Sequence, residues 1–174
     1  HSIDEKRFQN YKFKENDIVI YGIGGHAGMC IDVLKKNNDY KIVGFIDDNV
    51  KQDDVYSLEY LGTFQNLNQL IKCGLKNLII GIGFINNLSR KDEIYKNLKS
   101  MINIPTIIHK TAIIESSSEI GDGCQIFAGS IIGSNVKIND NCIINSGAIV
   151  NHNTVIDRTS HITPGATIAG HVRI

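Results

Sequence analysis

The chain has 174 residues, enough for one large domain or two small ones, with 18 basic and 18 acidic residues and a formal net charge of zero. That balance offers no basic patch for a nucleic acid and no charge run for a membrane surface, and the apolar runs fall well short of the roughly 20 residues a membrane helix needs. Cys30, Cys73, Cys124 and Cys142 are scattered without a CxxC pair, which points to a reduced, cytoplasmic protein with no metal site.

His1 and Ser2 read as the scar of a cleaved tag, and residues 1–16 as a remnant plus a polar lead-in. Residues 17–106 alternate strands with helices. Ile18 to Tyr21 is a short apolar strand, followed by a helix to about Asn37. Lys41 to Ile46 is a second strand and Asn77 to Ile82 a third. Phe64 to Cys73 and Ser89 to Met101 are helical, each with its apolar residues on one face. The order predicts a small parallel α/β sheet of Rossmann type.

The first strand runs into Gly22-Ile23-Gly24-Gly25-His26-Ala27-Gly28. Glycines there let the backbone approach a phosphate, and the following helix N-terminus offers free N–H groups to negative charge. Gly22, Gly24 and Ala27 fit G-x-G-x-x-A, with Asp47 further on after the second strand. The segment is short for a dinucleotide fold, so a mononucleotide or nucleotide-sugar fits it better than NAD. His26 is placed to donate to a diphosphate or a sugar hydroxyl, and otherwise lends polarity to the helix start. Asp47 and Asp48 are placed to hold ribose hydroxyls or a base edge, and otherwise cap their loop.

Residues 107–174 are organised by a spacing. Every sixth residue from Ile108 to Ile174 is Ile or Val, twelve in register without an insertion. Four positions after each, from Ser118 on, stands a small or β-branched residue. Neither a helix nor an alternating strand has period six. Short strands joined by tight corners do, with one aliphatic side chain per strand pointing inward and three strands closing a coil of 18 residues. This is the pattern of a left-handed parallel β-helix built from hexapeptide repeats. Gly121, Gly123, Gly129, Gly133, Gly147, Gly165 and Gly170, with Asn135, Asn139, Asn141 and Asn145, are expected to supply corners of positive φ. Cys124 and Cys142 share the small-residue slot one coil apart and read as stacked core thiols. The chain stops on an inward position, Ile174, where a solenoid needs a cap, so either the helix is truncated there, as expected, or a partner covers that end.

His152 lies two residues past an inward position, so its side chain should leave the prism. A histidine is suited to take a proton near neutral pH. A zinc set of His152, His161 and His171 is the rival reading, but no carboxylate-rich surround supports it.

G-x-G-G-H-A after the first strand, F-I-D-D after the second, and a β-helix carrying N-H-x-x-V-I and H-I-x-P-G-A together resemble the sugar O-/N-acetyltransferases of the sialic-acid O-acetyltransferase and bacillosamine/perosamine N-acetyltransferase group. The resemblance spans residues 17–174. It implies a homotrimer that binds a nucleotide-sugar or sugar at the N-terminal domain and acetyl-CoA along the β-helix, between subunits, for bacterial surface-glycan synthesis. It implies His152 as the general base with Asn153 beside it, and His161, Gly165 and Gly170 toward acetyl-CoA. It implies Gly22, Gly24, Gly25, His26, Asp47 and Asp48 at the nucleotide-sugar. The residue after the base is commonly Asp or Glu in this family and is Asn153 here, which would stabilise an imidazolium less. The mechanism implied is direct transfer without a metal. A non-catalytic nucleotide-sugar-binding or scaffolding trimer is the alternative, and an NAD-linked enzyme rests on the glycine loop alone.

Overall fold

The computed structural model describes residue 8 and residues 11–49, 54–83 and 88–174. Residues 1 and 2, expected to be a tag scar, lie outside them. By contacts, the described residues up to 83 together with 99–104 form one compact unit, and residues 88–98 with 105–174 form a second.

The first unit is built on three parallel strands: β1 (Asp17–Tyr21), β2 (Lys41–Ile46) and, after a short hairpin of β3 (Asp54–Val55) and β4 (Leu58–Glu59), β5 (Asn77–Ile80). The sheet order is β2-β1-β5. Ile18, Val19 and Ile20 of the central strand are fully buried, as are Leu78 and Ile79 of β5. A strand covered on both faces reads as a continuous apolar run, and this one does. Helix α1 (Gly25–Asn37) turns Ala27, Cys30, Ile31, Val33 and Leu34 inward and ends at Asn38, left-handed at φ 60°. The segment read as one helix from Phe64 is a 3-10 turn (Phe64–Asn66) continued by α2 (Leu67–Lys72), with Leu67 and Leu70 buried. The described part of the lead-in is packed: Phe8 is fully buried, and Phe13 N–H donates to the carbonyl of Cys73. The β3–β4 hairpin is absent from the sequence reading, and its positive-φ turn residues are Tyr56 and Ser57, neither a glycine.

The second unit is a left-handed parallel β-helix of two-residue strands. Strands 107–108, 125–126, 143–144 and 161–162 pair into a first face. Strands 113–114, 131–132, 149–150 and 167–168 make the second, and 119–120, 137–138 and 155–156 the third. Each strand pairs in parallel with the one 18 residues on, as Ile131 with Ile149 and Ile132 with Val150. Ile126, Ile132, Ile138, Ile144, Val150, Ile156 and Ile162 form the core with Cys124, Val136, Cys142 and Ala148. Each such aliphatic contributes about 1.5–3 kcal/mol by leaving water, and a slip of one residue would expose the whole set. Polar members of the small slot are bonded to the chain above: Ser118 Oγ donates to the carbonyl of Gly133 and Thr154 Oγ1 to that of Ala169.

The corners differ from expectation in an instructive way. Positive φ falls on one repeat slot only: Gly123, Gly129, Asn135, Asn141, Gly147, Asn153, Thr159, Gly165 and His171. Gly121, Gly133, Gly170, Asn139 and Asn145 lie outside it. Gly121 and Gly133 are small for a different reason. A β-carbon on Gly121 would stand 2.8 Å from the backbone nitrogen of Asp140, and one on Gly133 would stand 3.1 Å from that of His152, both in the next coil.

Helix α3 (Leu88–Lys99) belongs to the second unit as far as Leu98, although the alternation of elements assigns it to the first. Asp92 ties it to a corner of the β-helix, taking Arg158 at 2.8 Å and the hydroxyl of Thr159 at 3.1 Å. Tyr95, nearly fully buried, donates to the carbonyl of Asp122 at 3.2 Å. Lys91 is buried on the same helix, and burial lowers its pKa.

Candidate active site

The glycine loop is fixed at its start and open at its end. Gly22 has φ +85° and sits against Ile82, leaving no room for a side chain. Gly24 precedes α1 and Gly25 opens it. A β-carbon on either would meet nothing within 4 Å, so the backbone there faces open space. His26 follows in the first turn and packs on Gly83, where a β-carbon would come within 2.8 Å of the His26 β-carbon.

Asp47 and Asp48 bind the loops around them. Asp47 accepts from the backbone N–H of Ile23 at 2.8 Å and of Asn49 at 2.7 Å. Asp48 accepts from the hydroxyl of Tyr21 at 3.0 Å and the N–H of Phe64 at 2.9 Å. Asp47 therefore fixes the glycine loop directly. Each carboxylate retains lone pairs beyond these bonds, so both still have capacity for a ribose hydroxyl.

In the β-helix, His152 leaves the second face at the corner leading to the third, and both it and Asn153 are exposed. Asn153 takes the left-handed slot at φ 57°, a conformation Asn tolerates better than most residues. Its N–H donates to the carbonyl of Ser134, and the N–H of His171 donates to the carbonyl of His152 at 3.0 Å. The amide of Asn153 lies 3.1 Å from Nδ1 of His152. Gly170 lies over the ring, where a β-carbon would stand 2.7 Å from Cε1. Nε2 of His152 makes no hydrogen bond among the described residues.

His161 is elsewhere. It opens a strand of the first face, opposite the corner that carries His152, and is half-buried. Its Nε2 lies 3.2 Å from the amide of Asn145, whose Oδ1 already accepts from the N–H of Ser146 at 2.8 Å. Ser146 can only donate, so Asn145 presents its NH2 to His161. The neutral ring thus carries its proton on Nδ1. Gly165, at the corner after His161, has φ +67° and open space around it.

Reading the sequence leaves His171 without a role. The structure places its ring edge-to-face on His152, centroids 5.2 Å apart. The 18-residue coil was the signal that could have found it, since His171 stands one coil beyond Asn153. His109, also without a role, is buried at a turn, its Nδ1 accepting from the N–H of Thr111 at 3.1 Å.

Residues 17–98 match the PglD N-terminal domain family, and residues 117–152 match the bacterial transferase hexapeptide family of six repeats. No curated protein sequence matches the chain. Among solved structures, it is similar to a histidine-to-alanine mutant of GDP-perosamine N-acetyltransferase from Caulobacter crescentus in complex with CoA and GDP-perosamine. The two are 28% identical, the match covers 92% of this chain and 74% of that one, and the TM-score is 0.83. It is also similar to the acetyltransferase domain of PglB from Neisseria gonorrhoeae FA1090 in complex with acetyl coenzyme A, 26% identical over 92% of this chain and 77% of that one, with a TM-score of 0.83. A PglD-type α/β unit joined to hexapeptide coils, together with these structural relatives, supports the hexapeptide-repeat sugar acetyltransferase family for this chain.

Proposed function

We propose that this acetyltransferase moves the acetyl group of acetyl-CoA directly onto an amino or hydroxyl group of a nucleotide-linked sugar, with His152 as the general base. The observation that carries the reading is the His152 corner. The ring is exposed, its Nδ1 is held by Asn153, Gly170 is packed on it, and Nε2 has no protein partner among the described residues. Such a nitrogen can take the proton of an attacking group as it reaches the thioester carbonyl. The negative charge that develops on that oxygen needs donors. His161 supplies an Nδ1–H, and backbone N–H groups of the coil can add to it. The thioester then breaks to the CoA thiolate, which takes up the proton.

The relatives support the choice of substrates. The Caulobacter protein was captured with CoA and GDP-perosamine, and the Neisseria domain with acetyl coenzyme A. The open backbone at Gly24 and Gly25, beside a helix N-terminus, suits a diphosphate. Space at Gly165 suits the pantetheine arm. No helix among the described residues is long and apolar enough to cross a membrane. Four free cysteines suit a reducing compartment, and we assign the protein to the cytoplasm on that ground.

We also propose a homotrimer, and the same geometry supports a cleft shared between copies. His152 and His161 sit on opposite sides of one prism, so a single chain cannot bring both to one thioester. A neighbouring copy can.

The test is CoA thiol release from acetyl-CoA with GDP- and UDP-linked amino sugars and free sialic acids as acceptors. His152→Ala should lower the rate by about 10²–10⁴-fold. Mixing His152→Ala with His161→Ala subunits should restore part of the activity, because some clefts then hold both intact histidines. Full activity in His152→Ala would sink the base assignment, and failure of the mixture would sink the shared cleft.

A further inference from the structure

We propose that His171 is a positioning residue for the transfer: through the carboxamide of Asn153 it sets which nitrogen of His152 carries the proton. The proposal rests on the reading of His152 as the base.

A single amide position of Asn153, occupied in the structure by its nitrogen, faces two imidazoles. It lies 3.1 Å from Nδ1 of His152 and 3.4 Å from Nε2 of His171. Asn153 and His171 hold the same left-handed corner slot in successive coils, at φ 57° and φ 59°. The backbone bond from His171 to His152 fixes the spacing of the two corners.

One atom shared by two rings has a logical consequence. If the position is the NH2, it donates to both, and both facing nitrogens are bare. If it is the oxygen, it accepts from both, and both carry protons. A carboxamide exchanges these states by half a turn, with almost no change of shape. The two histidines must therefore play the same role toward Asn153.

Base catalysis at Nε2 of His152 needs that nitrogen bare, so the ring's proton must sit on Nδ1. That selects the oxygen-facing state of Asn153, which in turn requires a proton on Nε2 of His171. His171 protonated there makes the NH2-facing state costly, because two donors would oppose each other. As His152 becomes an imidazolium, Nδ1–H keeps its acceptor.

The contrast with His161 shows why a second histidine is needed. Asn145 is pinned by the N–H of Ser146 and can face His161 in one way only. Asn153 has no such anchor, since its other amide atom makes no hydrogen bond among the described residues. Where a carboxylate follows the base, it can only accept, and no helper is required.

The test uses the full chain and four variants: His152→Ala, His171→Gly, Asn153→Asp and the double variant Asn153→Asp/His171→Gly. Glycine suits the positive φ at 171, so the coil should persist, and His171→Ala repeats the test with a β-carbon. kcat and KM are measured with acetyl-CoA and the nucleotide-linked amino sugar that turns over fastest. The ring protons of His152 are assigned by long-range ¹⁵N–¹H NMR on the free protein. His171→Gly should lower kcat by about 10- to 10²-fold with both KM values unchanged. It should also move the neutral His152 ring from Nδ1–H toward Nε2–H. In the Asn153→Asp background the same change should cost little, because the carboxylate fixes the ring alone. A kcat that depends on His152 but ignores His171, or that falls equally in the Asn153→Asp background, overturns the proposal and leaves the base standing. A rate that survives His152→Ala overturns the base, and this proposal with it.

Discussion

Gly170 lies over the ring of His152, so close that a β-carbon at position 170 would stand 2.7 Å from Cε1 and 2.8 Å from Nε2. Its φ is not in the left-handed region, so the glycine is there for the space and not for the turn. Gly170→Ala should push the imidazole aside without unwinding the coil. A shift of about 1 Å in a catalytic group can cost about 10²-fold. The family resemblance assigns this glycine to the pantetheine arm, and the two roles separate kinetically. A fall in kcat with KM for acetyl-CoA unchanged marks an effect on His152. A rise in that KM with kcat unchanged marks the arm.

The second unit was legible from the sequence because the period of six is enforced by burial. Ile126, Ile144 and Ile162 stack in one column, and a polar residue in that column has nowhere to go. The corners were only half legible. Glycine serves both a positive φ and a close approach, and composition does not separate them: Gly147 is the first case and Gly133 the second. Helix α3 falls within the N-terminal family match of residues 17–98 yet groups by contacts with the β-helix, and its apolar face reads the same whichever body it packs on. The ion pair of Asp92 with Arg158 joins residues 66 apart, which no local pattern reveals. The pairing of His171 with Asn153 follows from arithmetic on the coil, but only once the left-handed slot is known.

That slot makes a stability prediction. Gly147→Ala meets no atom, so its cost is the backbone alone, about 1–2 kcal/mol for an L-residue forced left-handed. Gly147→Asn should cost less, since Asn135 and Asn141 already occupy the slot. Gly121→Ala should cost as much or more for the opposite reason, a collision with the backbone of Asp140 at 2.8 Å. Urea unfolding of the three variants, compared at equal m-value, checks the order.

Asp92 should make the hold on α3 acid-sensitive. The bond from Lys96, helped by Thr159 and Arg158, keeps its carboxyl below the usual carboxylate range against a smaller opposing effect of burial. A carboxyl lowered on folding contributes stability that is fully present above its unfolded value, about pH 4, and is lost as the pH falls through the folded value. Its side chain is 22% exposed, so the contribution is modest. Asp92→Asn should cost about 0.5–1 kcal/mol at pH 7. The gap between variant and wild type should close on acidification through the lowered value, as followed by urea midpoints.

Lys91 presents the reverse case on the same helix. It is only 5% exposed, and burial is the largest influence on its ammonium, lowering its pKa against smaller opposing effects from Cys142 and Cys124. A cation whose pKa is lowered on folding works against the fold wherever it is still charged in the unfolded chain. That cost fades only as the pH rises toward the usual lysine value of about 10.4. Lys91→Met keeps the length and flexibility of the stem and removes the charge. At pH 7 it should raise stability by about 0.5–2 kcal/mol. The gain should be smaller at about pH 10, close to the usual lysine value, than at pH 7. A variant less stable than wild type at pH 7 would mean instead that the ammonium is held by partners whose loss outweighs its desolvation, and thermal melts at the two pH values distinguish the cases.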